Sequence, residues 1–382
     1  MNILLIGEFS NLHNTLKEGL IKNGHHVVLA GFDDGFKKYQ VDFKFTKKWD
    51  SGIKKKLKVA CYKLTYFDIS SYLTYKFFKK NKHYFTNYDI VQLINENSFF
   101  CNAFFEKKIL KYIFKHNKKV FLLSCGDDYI NVKYNFENHT QNNIATPFMM
   151  GKIARKSFLG VLKFQSKEMK KLHEYIVQNI VGIIASDIDY HIPLIDHPKY
   201  LGMIPNPIQI DKLDYKPLEF AKPITIFLGI NEQSYFKKGI DYFELALDFI
   251  EKKYGSQVQI IKVKNLPYSE YINFYDEAHL FMDQIFAKDQ GYNALEAMAK
   301  GKVVFTGANH DFLKYYQLQK NEVAIEALPD VKDLIKNISY LLENKCKIKK
   351  ISQNARIFIE KKHNYIKISE KYMDVWSGNL VK

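Results

Sequence analysis

Cysteine is scarce in this 382-residue chain: Cys61, Cys101, Cys125 and Cys346 stand far apart, without CxxC or Cys/His ligand spacing. That pattern argues against a disulfide framework and a structural zinc site and fits a reducing cytosol. Long apolar runs are lacking too, since none approaches the ~18 residues needed to span a bilayer. The opening MNILLIGEFS has neither the basic and long apolar regions nor the small-residue cleavage site of an export signal, so a cytoplasmic location is expected. The first apolar strand is not followed by GxGxxG, nor by an acidic partner about 20 residues on, so a dinucleotide cofactor is not specified. No helix-turn-helix, RNA-recognition or zinc-finger pattern occurs, and no nucleic-acid partner is expected.

What is present describes a folded, basic protein. At 382 residues the chain exceeds one comfortable core, so two domains of roughly 150 to 200 residues are expected. Its 47% hydrophobic and 15% aromatic content can fill a core in each. The net charge of +16 is uneven: residues 1–200 carry 31 Lys+Arg against 18 Asp+Glu, and residues 201–382 carry 26 against 23. Residues 51–85 concentrate nine lysines, one acid and nine aromatics. Such a segment could lie on anionic lipid headgroups, lysines outward and rings in the interface. General solubility is a plainer use for the lysines, and the helical spacing of the aromatics equally describes core packing.

Short apolar strands alternate with amphipathic helices along both halves. In the first, strands are expected at 2–6, 27–30, 89–94, 120–124, 181–185 and 202–204, with helices near 13–23 and 102–116. After a proline-bearing stretch at 204–223 that reads as a linker, strands at 224–228, 258–263, 280–283 and 303–306 alternate with helices at 239–252, 268–277 and 293–300. This is the pattern of two doubly wound parallel sheets in tandem. Ligands bind such sheets at the carboxyl ends of their strands, so chemistry is sought in the loops that follow.

Three loops qualify. Gly7 opens the first, GEFSN, where a sharp turn could aim backbone amides at an anion or a sugar; a plain tight turn serves as well. In the second, Lys237 and Lys238 precede Gly239 and a helix. A lysine there opposes the helix dipole unless an anion is bound, although a solvated pair is the simpler reading. The third is DQGYNALEAMAKGKVVF, 289–305, in which Asn293 is a plausible N-cap and Glu296 its third helical residue. Glu296 could close a capping box, or accept ribose hydroxyls while the amides hold a pyrophosphate.

The order of these motifs, with IPNPI at the junction and SEYINFYDEAHLFMD followed by ALEAMAKGKVVFTG, resembles the retaining glycosyltransferases of family 4. The resemblance runs over the whole chain and is specific mainly over 266–307. It implies the GT-B fold: α/β, with two Rossmann-like domains facing across a cleft. Residues 1–205 would form the acceptor domain, 206–362 the nucleotide-sugar donor domain, and 363–382 a helix crossing back to the first. By resemblance Glu296 looks like the family's ribose-binding glutamate and Lys238 like the lysine that neutralises the donor diphosphate. Gly291, Tyr292, Asn293 and Ala294 would line the donor through their backbone, and Asn206 matches a Pro-Asn turn close to the nucleotide.

Departures from the family pattern are equally specific. Lys288 stands where the first glutamate of the usual pair is expected. Either Asp289 replaces it, or the chain resembles a subgroup whose strand ends in Asp-Gln, here Asp283-Gln284, and which lacks that glutamate. The family's arginine before the lysine is missing, because no Arg occurs between 224 and 238. The resemblance implies a hexosyltransferase that uses a nucleotide-diphosphate sugar with retention and without metal or other cofactor. Asp127, in SCGDDY, is the candidate acidic group on the acceptor side, or else a turn or N-cap residue. The acceptor would be a glycan or a lipid-linked sugar of cell-surface polysaccharide synthesis, met at the inner face of the membrane. A nucleotide-sugar epimerase or hydrolase on the same fold, and a non-catalytic sugar- or nucleic-acid-binding protein, are the alternatives.

Overall fold

The computed structural model describes residues 1–32, 40–220 and 223–378. Two residues of the expected linker, 221 and 222, and the last four of the expected C-terminal segment lie outside the described residues.

Among the described residues, seven strands make the first sheet: β1 (Asn2–Ile6), β2 (His26–Phe32), β3 (Phe43–Phe45), β4 (Ile90–Leu93), β5 (Lys119–Ser124), β6 (Ile183–Ala185) and β7 (Tyr200–Met203). All pairings are parallel, in the order β3-β2-β1-β4-β5-β6-β7. β1 reads NILLI because helices cover both faces of a parallel sheet, and Ile3, Leu4, Leu5 and Ile6 are all buried. The order reverses between β1 and β4, which opens a crevice beyond their carboxyl ends.

The second sheet holds β8 (Ile224–Ile230), β9 (Val258–Lys264), β10 (Leu280–Met282), β11 (Val303–Thr306) and β12 (Ile325–Glu326). Its order is β12-β11-β10-β8-β9, again parallel throughout, and the switch point lies between β10 and β8. The fold is therefore α/β with two doubly wound domains, as expected from the alternation of strands and helices.

The last described helix, Tyr365–Ser377, packs on the helix Leu12–Lys22 of the first domain. Gly19 permits this approach, since a Cβ there would sit 2.5 Å from the Tyr365 carbonyl oxygen. Trp376 is fully buried, with its ring centroid 6.3 Å from that of Phe121 on β5. Where the chain passes between domains, the Ile208 amide donates to the His363 carbonyl at 2.7 Å and the Tyr365 amide to the Ile208 carbonyl at 3.2 Å.

Residues 51–85 divide at Tyr66, whose left-handed φ of 55° ends one helix before the next begins. The second helix, Ile69–Lys80, buries Ser71, Thr74 and Phe78, so the core-packing reading holds for that half. The first helix, Gly52–Thr65, buries no residue. No helix among the described residues is long and apolar enough to cross a membrane.

Candidate active site in the cleft

The two switch points face each other, and cavities open at both. The smaller, about 330 Å³, lies beyond β8 and β10 and is lined by Asn231, Lys238, Asp283, Gln284, Gly291 and Asn293 among others. The larger, about 640 Å³, lies beyond β1 and β4 and is lined by Glu8, Phe9, Asn95, Phe100, Asp127 and Asn206 among others. Ser10, Gly291 and Tyr292 border both, so the two spaces adjoin. Between the domains a third space of about 350 Å³ is bounded by Asp127, Lys237, Lys238, Asp189, Asp289 and Gln284 among others.

The helix Tyr292–Ala299 starts at the junction of these spaces. Its N-cap is Gly291, in extended backbone, and no side chain caps its first turn. This corrects the expectation that Asn293 is the cap: the backbone turns helical right after extended Gly291, so Asn293 is already the second helical residue, behind Tyr292, whose hydroxyl donates to the Pro207 carbonyl at 3.1 Å. Glu296 is then the fifth helical residue, beyond capping-box position, and the capping-box reading fails. Glu296 is buried, and its negative charge contributes to holding the hydroxyls of Tyr271, Tyr275 and Tyr292 above the usual tyrosine range, although burial is the larger cause. Ala294 is buried in the helix interior and does not line the cavity.

Lys238 is not a solvated lysine. Its Nζ donates to Asp283 Oδ1 at 3.0 Å, and the other carboxylate oxygen of Asp283 accepts from Thr306 Oγ1 at 3.0 Å. Asp283 is buried and ends the apolar run of β10, so the pair forms a charged floor to the smaller cavity. Gly239 follows with φ +71, and a Cβ there would come within 2.9 Å of Ile285. Lys237 points across the cleft, with its Nζ 3.8 Å from Asp127 Oδ2.

Gly7 is the tight turn and does not itself line a cavity. Its φ is +89, and a Cβ would fall 2.2 Å from Ile94 on the neighbouring connection. His13, buried and held neutral with its pKa lowered to about 3 by burial, donates from Nδ1 to the Gly7 carbonyl at 2.8 Å. The turn thereby sends Glu8, Phe9 and Ser10 into the cleft. Asn206 lines the larger cavity rather than the smaller one. Its carbonyl accepts from His363 Nδ1 at 2.8 Å, while its buried side-chain oxygen has no hydrogen-bond partner among the described residues. Asp127 borders the larger cavity and the space between the domains, but not the smaller cavity. The N-cap role in that loop belongs to its neighbour Asp128, which accepts from the Asn131 amide at 2.7 Å.

The positions of the expected first glutamate are tied to the domain contact. Lys288 is buried, with its Nζ on Asp311 at 3.1 Å. Asp289 accepts from the Ile188 amide at 3.1 Å, and Asp189 in return accepts from the amides of Lys288, at 3.0 Å, and Asp289, at 3.3 Å. Burial pushes Asp189 up to about 6 and Asp289 up to about 7, and lifts Asp187 well above the carboxylate range. Sequence reasoning missed Asp187 and Asp189, along with Asn231, Asn95 and Lys163. Asn231 directly follows β8 and Asn95 stands two residues beyond β4, a signal that the strand-end rule could have used.

Residues 243–374 match a family model described as glycosyl transferase-like. No curated protein matches the chain. Among solved structures, sucrose-phosphate synthase from Thermosynechococcus elongatus is 14% identical with a TM-score of 0.61, over 99% of this chain and 98% of that one. Anabaena HepE in complex with UDP and glucose is 12% identical with a TM-score of 0.57, over 99% of each chain. A Listeria monocytogenes protein described as a UDP-N-acetylglucosamine 2-epimerase is 11% identical with a TM-score of 0.53, over 98% of this chain and 95% of that one. At these identities the likeness defines the fold, which is GT-B.

Proposed function

We propose that this protein is a retaining glycosyltransferase that moves a sugar from a nucleotide-diphosphate donor to a glycan or lipid-linked acceptor in cell-surface polysaccharide synthesis. The observation that carries the reading is the smaller cavity, where the uncapped start of the helix Tyr292–Ala299 meets Lys238 and Asp283. Departure of a diphosphate concentrates negative charge as the sugar becomes oxocarbenium-like. Lys238 at the floor of that cavity, Lys237 in the adjoining space between the domains and the positive end of the helix are the groups that would meet this charge, so the reading requires no metal. Gly291 lets the phosphates approach the backbone, Tyr292 and Asn293 border them, and Glu296 accepts the ribose hydroxyls. The larger cavity takes the acceptor, with Asp127 at the boundary to hold the donor sugar or the incoming hydroxyl. Gln284, which lines the smaller cavity, and Asp289, which borders the space between the domains, are the candidates for the role of the missing glutamate.

A GT-B epimerase is the second reading, suggested by the Listeria neighbour. The adjoining space of about 640 Å³ favours transfer, since an epimerase has no second substrate to seat. Thermal-shift measurements against UDP-, GDP- and ADP-sugars, with Lys238→Ala and Glu296→Ala in parallel, test the donor site. One nucleotide class should raise the melting temperature of the wild type and do so less in both variants. No shift with any of them would remove the proposal, and epimerised donor in the absence of acceptor would establish the alternative.

A further inference from the structure

The helix Gly52–Thr65 is 14 residues long and buries none of them, although it packs beside the helix Ile69–Lys80. Ile53, Leu57, Ala60 and Leu64 recur at steps of four, three and four, which places them in one stripe along the helix. In a surface helix such a stripe normally turns inward. Here Ile53 is 75% exposed, Leu57 54% and Leu64 83%. At about 100° per residue, Lys56 and Lys63 flank one side of the stripe and Lys54 the other. Among the described residues none of these three forms an ion pair, whereas Lys58 is matched by Asp50 at 3.0 Å. Tyr66, at the helix end, is 81% exposed.

An apolar stripe edged by uncompensated lysines and closed by an exposed tyrosine has one complementary surface, a bilayer interface with anionic headgroups. A second copy of the chain would bring like-charged lysines together. We propose that Gly52–Thr65 docks the protein on an anionic membrane, with Ile53, Leu57 and Leu64 entering the acyl boundary and the lysines held at the headgroups. Only residues 48–51 separate this helix from Lys47, which lines the larger cavity. Docking therefore holds that cavity near the lipid surface. Delivery of a lipid-linked acceptor into it rests on the proposed function, but the docking itself does not.

Sedimentation with vesicles of phosphatidylcholine, alone or with about a third phosphatidylglycerol, tests the proposal. The wild type should bind the anionic vesicles, weaken with salt, and ignore the neutral ones. Ile53→Ser/Leu57→Ser/Leu64→Ser should bind at least about tenfold more weakly, and Lys54→Gln/Lys56→Gln/Lys63→Gln about a hundredfold. Because no residue of this helix is buried, both variants should melt with the wild type and keep its nucleotide-dependent thermal shift. Loss of docking thus separates from loss of the donor site. Wild-type protein that ignores anionic vesicles, or a stripe variant that binds like wild type, overturns the proposal. A lipid-free dimer that the stripe substitutions dissociate also overturns it, assigning the face to a second copy.

Discussion

The helices Gly52–Thr65 and Tyr292–Ala299 make opposite use of the same amphipathic chemistry. The first buries none of its 14 residues, and the second buries seven of its eight. The second sits at a switch point, where two sheets meet and small residues let the backbone pack closely; the first sits outside both sheets. Burial is thus concentrated at the cleft, where fixed dipoles and paired charges are held rigidly, and apolar surface is left open on the outward helix. The proposed roles follow the same division: donor chemistry at the buried helix, membrane docking at the exposed one.

The largest effect that tests this contrast is on stability. Leu295→Ala should cost about 2 to 5 kcal/mol by leaving a cavity, whereas Leu57→Ala should stay within about 0.5 kcal/mol of wild type in urea melts. Equal losses at the two sites would break the comparison. Lys238→Ala comes next, because it strands the buried Asp283 carboxylate. A loss of about 3 kcal/mol is expected, against no measurable loss for Lys56→Ala on the outward helix.

A pH dependence sharpens the picture at the domain contact. Burial raises Asp189 to about 6 and Asp289 to about 7, so the folded state holds these protons more tightly than the unfolded chain does. Their contribution is fully present below the ordinary carboxylate pKa of about 4 and is lost as pH rises to about 7. Thermal melts at pH 5 and pH 8 should show that Asp289→Asn, relative to wild type, is less destabilised at the higher pH. The smallest expected effect is at the rim. Lys237→Gln should cost under about 1 kcal/mol, since its 3.8 Å pair with Asp127 is partly exposed, yet it should slow turnover.

Much of the fold was legible because its strands are short apolar runs bounded by turn residues. β1 and β11 fall where expected, and the helix near 239–252 is observed at Ile240–Tyr254. β3 and β12, three and two residues long, carry too little pattern to be found. The site was legible in part. Lys238, Gly291, Tyr292 and Asn293 do line one cavity, because strand ends can be located from sequence. The Asn293 cap was misplaced because a preferred N-cap residue two positions along gives the same local signal as extended backbone at Gly291. The meeting of Lys237 with Asp127, and of Asp289 with Asp189, depends on how two domains face each other, which no local periodicity encodes. In residues 51–85 the aromatic spacing is helical throughout, so only packing distinguishes the half that enters the core from the half that does not.

Calorimetric titration of the stabilising nucleotide sugar into Gly291→Val tests the central claim most directly. Gly291 has an ordinary φ, and a Cβ there meets only the Gln284 side chain, at 3.8 Å, so the variant should fold, with at most about 1 kcal/mol lost through a poorer N-cap. Its methyl groups would occupy the space where the phosphates approach the helix start. Affinity should fall at least about a hundredfold with the melting temperature nearly unchanged, the loss expected when a close backbone contact is blocked. Wild-type affinity in this variant would contradict the assignment of the cavity to the donor.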